Sequence, residues 1–219
     1  MPPLLCARRA GRLCDNARGV SWVVFWITIL EKNAVTRRRK PGIFCFEGDW
    51  SPDLRTRTSV RRLLEFLSQE ERIDFIYRDI GTPEELTYYV NRWRLRSYAA
   101  FNIGYFAFHG EPDAIFIGKN RLNLVDIGEM LNGACAGKVV YFGSCSTLGA
   151  SPNDVRRFKR MTKAKCVCGY TKDVEWLQSA SFELLLFDAL TYYQRIDAVE
   201  NYLRRFEALK RQLGFKMYR

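Results

Sequence analysis

The sequence predicts an α/β fold of three layers, with a mostly parallel central sheet and helices on both faces. Two observations carry that prediction. From Pro41 onward, short apolar runs of strand length alternate with longer stretches of helical period. The strand runs are apolar almost throughout, as strands covered on both sides are. A hydrophobic content of 47% and an aromatic content of 14% supply a sizeable core, and 219 residues fit one such domain plus an extension.

Each element has its own signal. "GIFCFEG" is an apolar run ending in Gly48, read as a buried first strand. Thr58 to Leu67 places Val60, Leu63, Leu64 and Leu67 on one helical face. "RIDFIYRDI" is a second strand. In "TPEELTYYVNRW", Thr82 is an N-cap, Pro83 opens the first turn and Glu85 completes a capping box. Its apolar face is Leu86, Tyr89, Val90 and Trp93. "YAAFNIGYFAFHG" holds a third strand ending at His109, and "DAIFIGKNRLNLV" a hairpin turning at Gly118-Lys119-Asn120. A short helix follows in "DIGEMLNGACAG", then a fourth strand in "KVVYFGSC" ending near Cys145. Pro152 starts a helix, "AKCVCGYT" is a fifth strand, and "WLQSASFELLLFDALTYY" is a strong helix. The tail carries Tyr202, Leu203, Phe206 and Leu209 on a helical stripe.

Residues 1–40 read differently, as a basic and apolar N-terminal extension to a domain spanning 41–219. They hold nine Lys/Arg against two acids, whereas 41–199 is neutral and 200–219 carries six Lys/Arg against two acids. The net charge of +11 thus belongs to the two ends. Val20 to Leu30 is eleven mostly apolar residues, too short to span a bilayer as a helix, and no small-residue cleavage site follows. Three readings stay open for it: a segment packed on the domain, a membrane-surface anchor, or an upstream extension that the fold does not need. Membrane association is not the expectation. Nor is specific nucleic-acid binding, because no zinc-finger spacing or aromatic RNA-binding signature accompanies the charge. The basic run "RRFKRMTKAK" at 156–165 is read as a solvated helix face, with a docking surface for an acidic partner or nucleotide activator as the alternative.

The seven cysteines are an odd number without small-scaffold spacing, and the simplest account is reduced thiols in a cytoplasmic protein. A single histidine excludes a Cys₂His₂ zinc site, and no CxxC occurs. Cys166 and Cys168 are expected to face opposite sides of their strand and, with Cys135, to serve as packing. No metal or cofactor is expected.

That single histidine, His109, ends the third strand and is followed by Gly110. Cys145 ends the fourth strand in "GSCS". Chemistry in a parallel sheet gathers beyond the carboxyl ends of the strands. If the two strands are neighbours, a thiol and an imidazole project from one sheet edge. A thiolate nucleophile needs a base to form it and an acid to protonate the leaving amine, and histidine performs both. The Gly110 and Cys145 amides are the candidate oxyanion donors, since glycine lets backbone approach a substrate closely.

These motifs resemble those of the caspase-like cysteine proteases, a group including caspases, metacaspases, separase and the bacterial CHAT proteases. "FHG" after one strand and "GSCS" after the next follow that pattern, and "VCGYTKDVEWLQSASFELLLFDAL" is similar to the CHAT and separase segment. The resemblance covers roughly 42–195. It implies a caspase-like fold and a thiol endopeptidase without a cofactor, with His109 as general base and acid and Cys145 as nucleophile. It implies a protein or peptide substrate, an activating protein or small-molecule signal, and an effector role in bacterial stress or antiviral defence. It also implies a specificity pocket in which Asp173, with Glu175 nearby, binds a basic residue before the cleaved bond, with Glu47 and Asp49 as further candidates. Two departures bear on specificity. The arginines that give caspases their Asp preference have no match. Two residues before the cysteine, where metacaspases and paracaspases carry an acid, stands Gly143. Trp176 either lines a substrate pocket or packs at the helix start.

The rival reading is a non-catalytic α/β module that binds a nucleotide signal or a protein partner at the same sheet edge. No GxGxxG or P-loop supports it.

Overall fold

In the computed structural model, which describes residues 41–53 and 55–219, five parallel strands and one antiparallel strand form the central sheet. Its strands are β1 (Gly42–Glu47), β2 (Asp74–Asp79), β3 (Ile103–Ala107), β7 (Val139–Phe142), β8 (Cys166–Tyr170) and β9 (Phe215–Tyr218), in the order β2-β1-β3-β7-β8-β9. A separate antiparallel sheet holds β4 (His109–Glu111), β5 (Ala114–Ile117) and β6 (Asn120–Asn123). The extension at residues 1–40, its apolar run, Cys6 and Cys14 lie outside the described residues.

Alternation along each strand sorts its side chains to two cores. Ile43 and Cys45 of β1 face one core, while Phe44 and Phe46 face the other. The first core is covered by α1 (Arg61–Gln69), α5 (Trp176–Tyr192), α6 (Ile196–Leu203) and α7 (Glu207–Leu213). The second is covered by α2 (Pro83–Trp93), α3 (Leu124–Leu131) and α4 (Pro152–Thr162). The result is helix, sheet, helix, which is the three-layer arrangement expected. Each fully buried Phe or Leu contributes roughly 1.5–3 kcal/mol, so both faces are strongly held. The expected capping box begins α2: the Thr82 hydroxyl accepts from Glu85 N, and the Glu85 carboxylate accepts from Thr82 N, both at 3.2 Å.

Three expectations need correction. Cys166 and Cys168 share one face of β8, in the first core, while Val167 between them lies in the second. A strand has a period of two, so residues two apart point the same way. The third strand stops at Ala107 rather than at His109. Phe108 turns out of the ladder, its N–H donating to the Ser144 hydroxyl, and His109 opens β4 against β5. The tail is broken into α6, a 3₁₀ turn and α7, and then adds β9 as an antiparallel strand on β8. "FKMY" is four residues, too short to announce a strand at the end of a helical stripe, and pairing with β8 is what makes it one. Among the described residues, no helix is long and apolar enough to cross a membrane.

Candidate active site

The strand order reverses direction between β1 and β3, which leaves a crevice at their carboxyl ends. Trp50 follows β1, His109 follows β3 and Cys145 follows β7, and β3 and β7 are neighbours. His109, Cys145 and Trp50 line one cavity of about 190 Å³, together with Val60, Leu63, Val174, Trp176 and Glu183. His109 is exposed and Cys145 half-buried, so both are reachable from solvent.

The two segments are pressed together through Gly110. A Cβ there would stand 2.4 Å from the Cys145 carbonyl oxygen and 2.8 Å from Ser144 Cβ, so only glycine fits. Ser144, fully buried, holds the ends of β3 and β7 together: its hydroxyl donates to the Phe106 carbonyl and accepts from Phe108 N, both at 3.3 Å. Gly143 is equally constrained, since a Cβ would meet the Tyr105 ring at 2.4 Å.

His109 is oriented from the far side. Its Nε2 lies 3.0 Å from the Trp50 carbonyl oxygen. A carbonyl only accepts, so Nε2 carries the proton and donates, and Nδ1 keeps the lone pair. The Trp50 ring also packs edge-on to His109 at 5.3 Å and to Trp176 at 5.4 Å. Trp176 therefore does line the cavity, and also packs at the start of α5. The thiol of Cys145 lies 3.9 Å from the Val174 carbonyl, and among the described residues no hydrogen bond joins it to His109.

Both candidate oxyanion amides are spare. Glu111 and Ala114 flank a two-residue turn and form the hydrogen-bonded pair of that hairpin, so Gly110, opposite Ile115, has its N–H outside the ladder. The Cys145 N–H has no partner among the described residues. Ser146, next along, sits at φ 54°, a left-handed conformation that a non-glycine residue adopts under constraint. Its N–H donates to the Lys172 carbonyl at 2.9 Å and its hydroxyl donates to the Asp173 carboxylate.

The four acids expected to bind substrate fall in different places. Asp173 is exposed and braces Ser146, outside the cavity lining. Glu175 is the N-cap of α5, accepting from the N–H groups of Leu177 and Gln178 at 2.9 Å each; those bonds hold its carboxyl below the usual range. Asp49 is exposed and lines a separate acidic cleft with Asp53 and Asp79. Glu47 is buried at 3% exposure and accepts from Trp50 Nε1, Val60 N, the Ser59 hydroxyl and the Tyr77 hydroxyl. It is a hub that places Trp50, and through Trp50 the histidine. Glu47→Ala takes the acceptor from Trp50 Nε1, Val60 N and the Ser59 hydroxyl, while the Tyr77 hydroxyl still has Asp79 at 2.5 Å, and is expected to cost about 3 kcal/mol in urea unfolding; a change under 1 kcal/mol would argue against the hub.

Sequence reasoning did not reach Trp50, Ser144 or Glu183. Glu183 lies fully within the first core side of α5, at 3% exposure. Its Oε2 accepts from Tyr105 at 2.6 Å, and its Oε1 from Tyr141 at 2.7 Å and Tyr170 at 3.4 Å. Burial pushes its pKa up to about 7 against the three phenols, which pull it down. A raised carboxyl pKa means the folded state holds a proton that the unfolded state has released. Stability from this group is therefore full below the ordinary value of 4.5 and lost as pH rises through about 7, roughly 3 kcal/mol in all. Wild type should lose that increment between those limits in urea titrations, and Glu183→Gln should not.

Fold and site together define a class: a three-layer α/β protein with a cysteine and a histidine lining one cavity beyond the carboxyl ends of adjacent parallel strands. Residues 40–219 match the model of DUF6642, a family of unknown function, and the chain belongs to that family. No curated protein matches the chain. Among the described residues, no group of three or more His, Cys, Asp or Glu is arranged to hold a metal ion.

Proposed function

We propose that this protein is a caspase-like cysteine endopeptidase in which His109 and Cys145 act as a dyad. The observation that carries this reading is the shared cavity: the chain's one histidine and a reachable thiol line it from just beyond the carboxyl ends of the neighbouring strands β3 and β7. The Trp50 carbonyl supports it further, by leaving His109 Nδ1 free to accept a proton.

In this mechanism His109 Nδ1 takes the Cys145 proton and the sulfur attacks the scissile carbonyl carbon, forming a C–S bond. The carbonyl oxygen becomes an oxyanion that the Gly110 and Cys145 N–H groups receive. The C–N bond then breaks, and His109 gives its proton to the leaving amine. Water, deprotonated by His109, hydrolyses the thioester and returns the free thiol. The substrate is a protein or peptide cleaved after a basic residue. The role as a bacterial stress or defence effector, switched on by a partner or small signal, rests on the sequence resemblance.

The test is covalent. A panel of peptidyl acyloxymethyl ketones, differing in the residue beside the warhead, should label wild type at Cys145, read by mass spectrometry, and should leave His109→Ala unlabelled. If no member modifies Cys145 in folded protein, the peptidase reading fails and the binding-module alternative takes its place.

A further inference from the structure

The cavity beside Cys145 is lined by one acid, Glu183, and by no lysine or arginine. Tyr105, Gly143, Ser179 and Ala180 line it too. The walls are apolar or aromatic: Val60, Leu63, Val174 and Trp176. No salt bridge reaches Glu183 among the described residues. Its three hydrogen bonds all come from neutral phenols, on β3, β7 and β8. An ionised carboxylate offers about four acceptor sites. Oε2 receives only Tyr105, so one site stays open. Burial without a cation favours the protonated form of such a group, and a ligand that brings a cation favours the carboxylate and an ion pair with it.

We infer that this cavity is the pocket for the side chain preceding the scissile bond, and that Glu183 in its lining selects lysine or arginine there. The inference rests on the dyad reading of Cys145 and His109, and it assigns the specificity role to Glu183 in place of Asp173, whose carboxylate is engaged by Ser146 outside the cavity. The pocket fits the chemistry of a basic side chain. Val60, Leu63 and Trp176 pack along a long methylene stem, and the head group meets a carboxylate away from water. Gly143 lines the cavity as well, and any side chain there would collide with the Tyr105 ring that donates to Glu183.

The experiment separates pocket from dyad. Agmatine, which carries the arginine head group and stem without the peptide, is added at millimolar concentration to Cys145→Ala in a thermal unfolding assay. The midpoint should rise, and the rise should vanish in Cys145→Ala with Glu183→Gln. It should also vanish in Cys145→Ala with Ala180→Leu, which fills the cavity and leaves Glu183 and its phenols intact should the glutamine variant fold poorly. In parallel, acyloxymethyl ketones with arginine, lysine or norleucine beside the warhead compete for Cys145. The basic probes should label wild type about 10²-fold faster than norleucine, and Glu183→Gln should erase that difference while keeping norleucine labelling. Equal rates for all three probes on wild type, or an agmatine shift that survives both variants, overturns the assignment. An agmatine shift that depends on Glu183 without any labelling of Cys145 keeps the basic pocket and removes the peptidase.

Discussion

Replacing His109 by alanine is expected to lower kcat/KM for peptide hydrolysis by about 10³-fold, and replacing Cys145 by alanine to abolish it. In the proposed dyad the two residues act as one unit, the imidazole as base and the thiol as nucleophile. The double variant should therefore be no slower than Cys145→Ala alone, a strongly non-additive result. Neither change should unfold the protein. His109 is exposed and Cys145 half-buried, both beyond the strand ends, where truncation removes little packing. Urea midpoints within about 0.5 kcal/mol of wild type would establish that the loss is chemical. Hydrolysis by His109→Ala above a tenth of wild type would show that the histidine is not the base.

Gly110→Ala is expected to be nearly as damaging, by steric displacement alone. The added methyl would lie 2.3 Å from Thr147 Oγ1 and 2.4 Å from the Cys145 carbonyl oxygen, far inside contact distance. The Cys145 loop has little freedom to yield. Ser144 is bonded to the end of β3, Ser146 to Lys172 and Asp173, and Thr147 to the Ala114 carbonyl. Relief therefore comes from moving the β4 hairpin and the cysteine apart. Overpacking of this kind costs roughly 1–3 kcal/mol in stability. A shift of about 1 Å between reacting groups costs on the order of 10² in rate. The two effects are read separately, by urea unfolding and by kcat/KM below the transition. Wild-type kcat/KM in folded Gly110→Ala would mean that the close approach is not needed for turnover.

Much of the fold was legible because its signals are local. The capping box at Thr82 and Glu85 needs only four residues, and the strands β1, β3, β7 and β8 announce themselves as apolar runs. That His109 and Cys145 come to one cavity was legible for a related reason. Each closes an apolar run, and parallel strands align their carboxyl ends. What resisted reading depends on contacts between distant segments. Nothing in "FKMY" reads as a strand until β8 is beside it. Asp173 was placed correctly in the turn after β8, but only the fold reveals that its carboxylate is taken by Ser146.

By itself, the sequence determined the layers, the capped start of α2 and the two residues at the ends of apolar runs that line the cavity, since these follow from period, capping and strand ends. Only the tertiary structure decided which carboxylates are available. Glu47 and Glu183 look alike in sequence, each an acid within or beside an apolar run. The first meets four donors from a loop, a helix start and β2, and is spent on holding Trp50. The second meets three phenols from three different strands and lines the cavity. Hydrogen-bond saturation is a property of neighbours in space, and those neighbours lie 30 or more residues away for Tyr77 from Glu47 and for Tyr105 from Glu183.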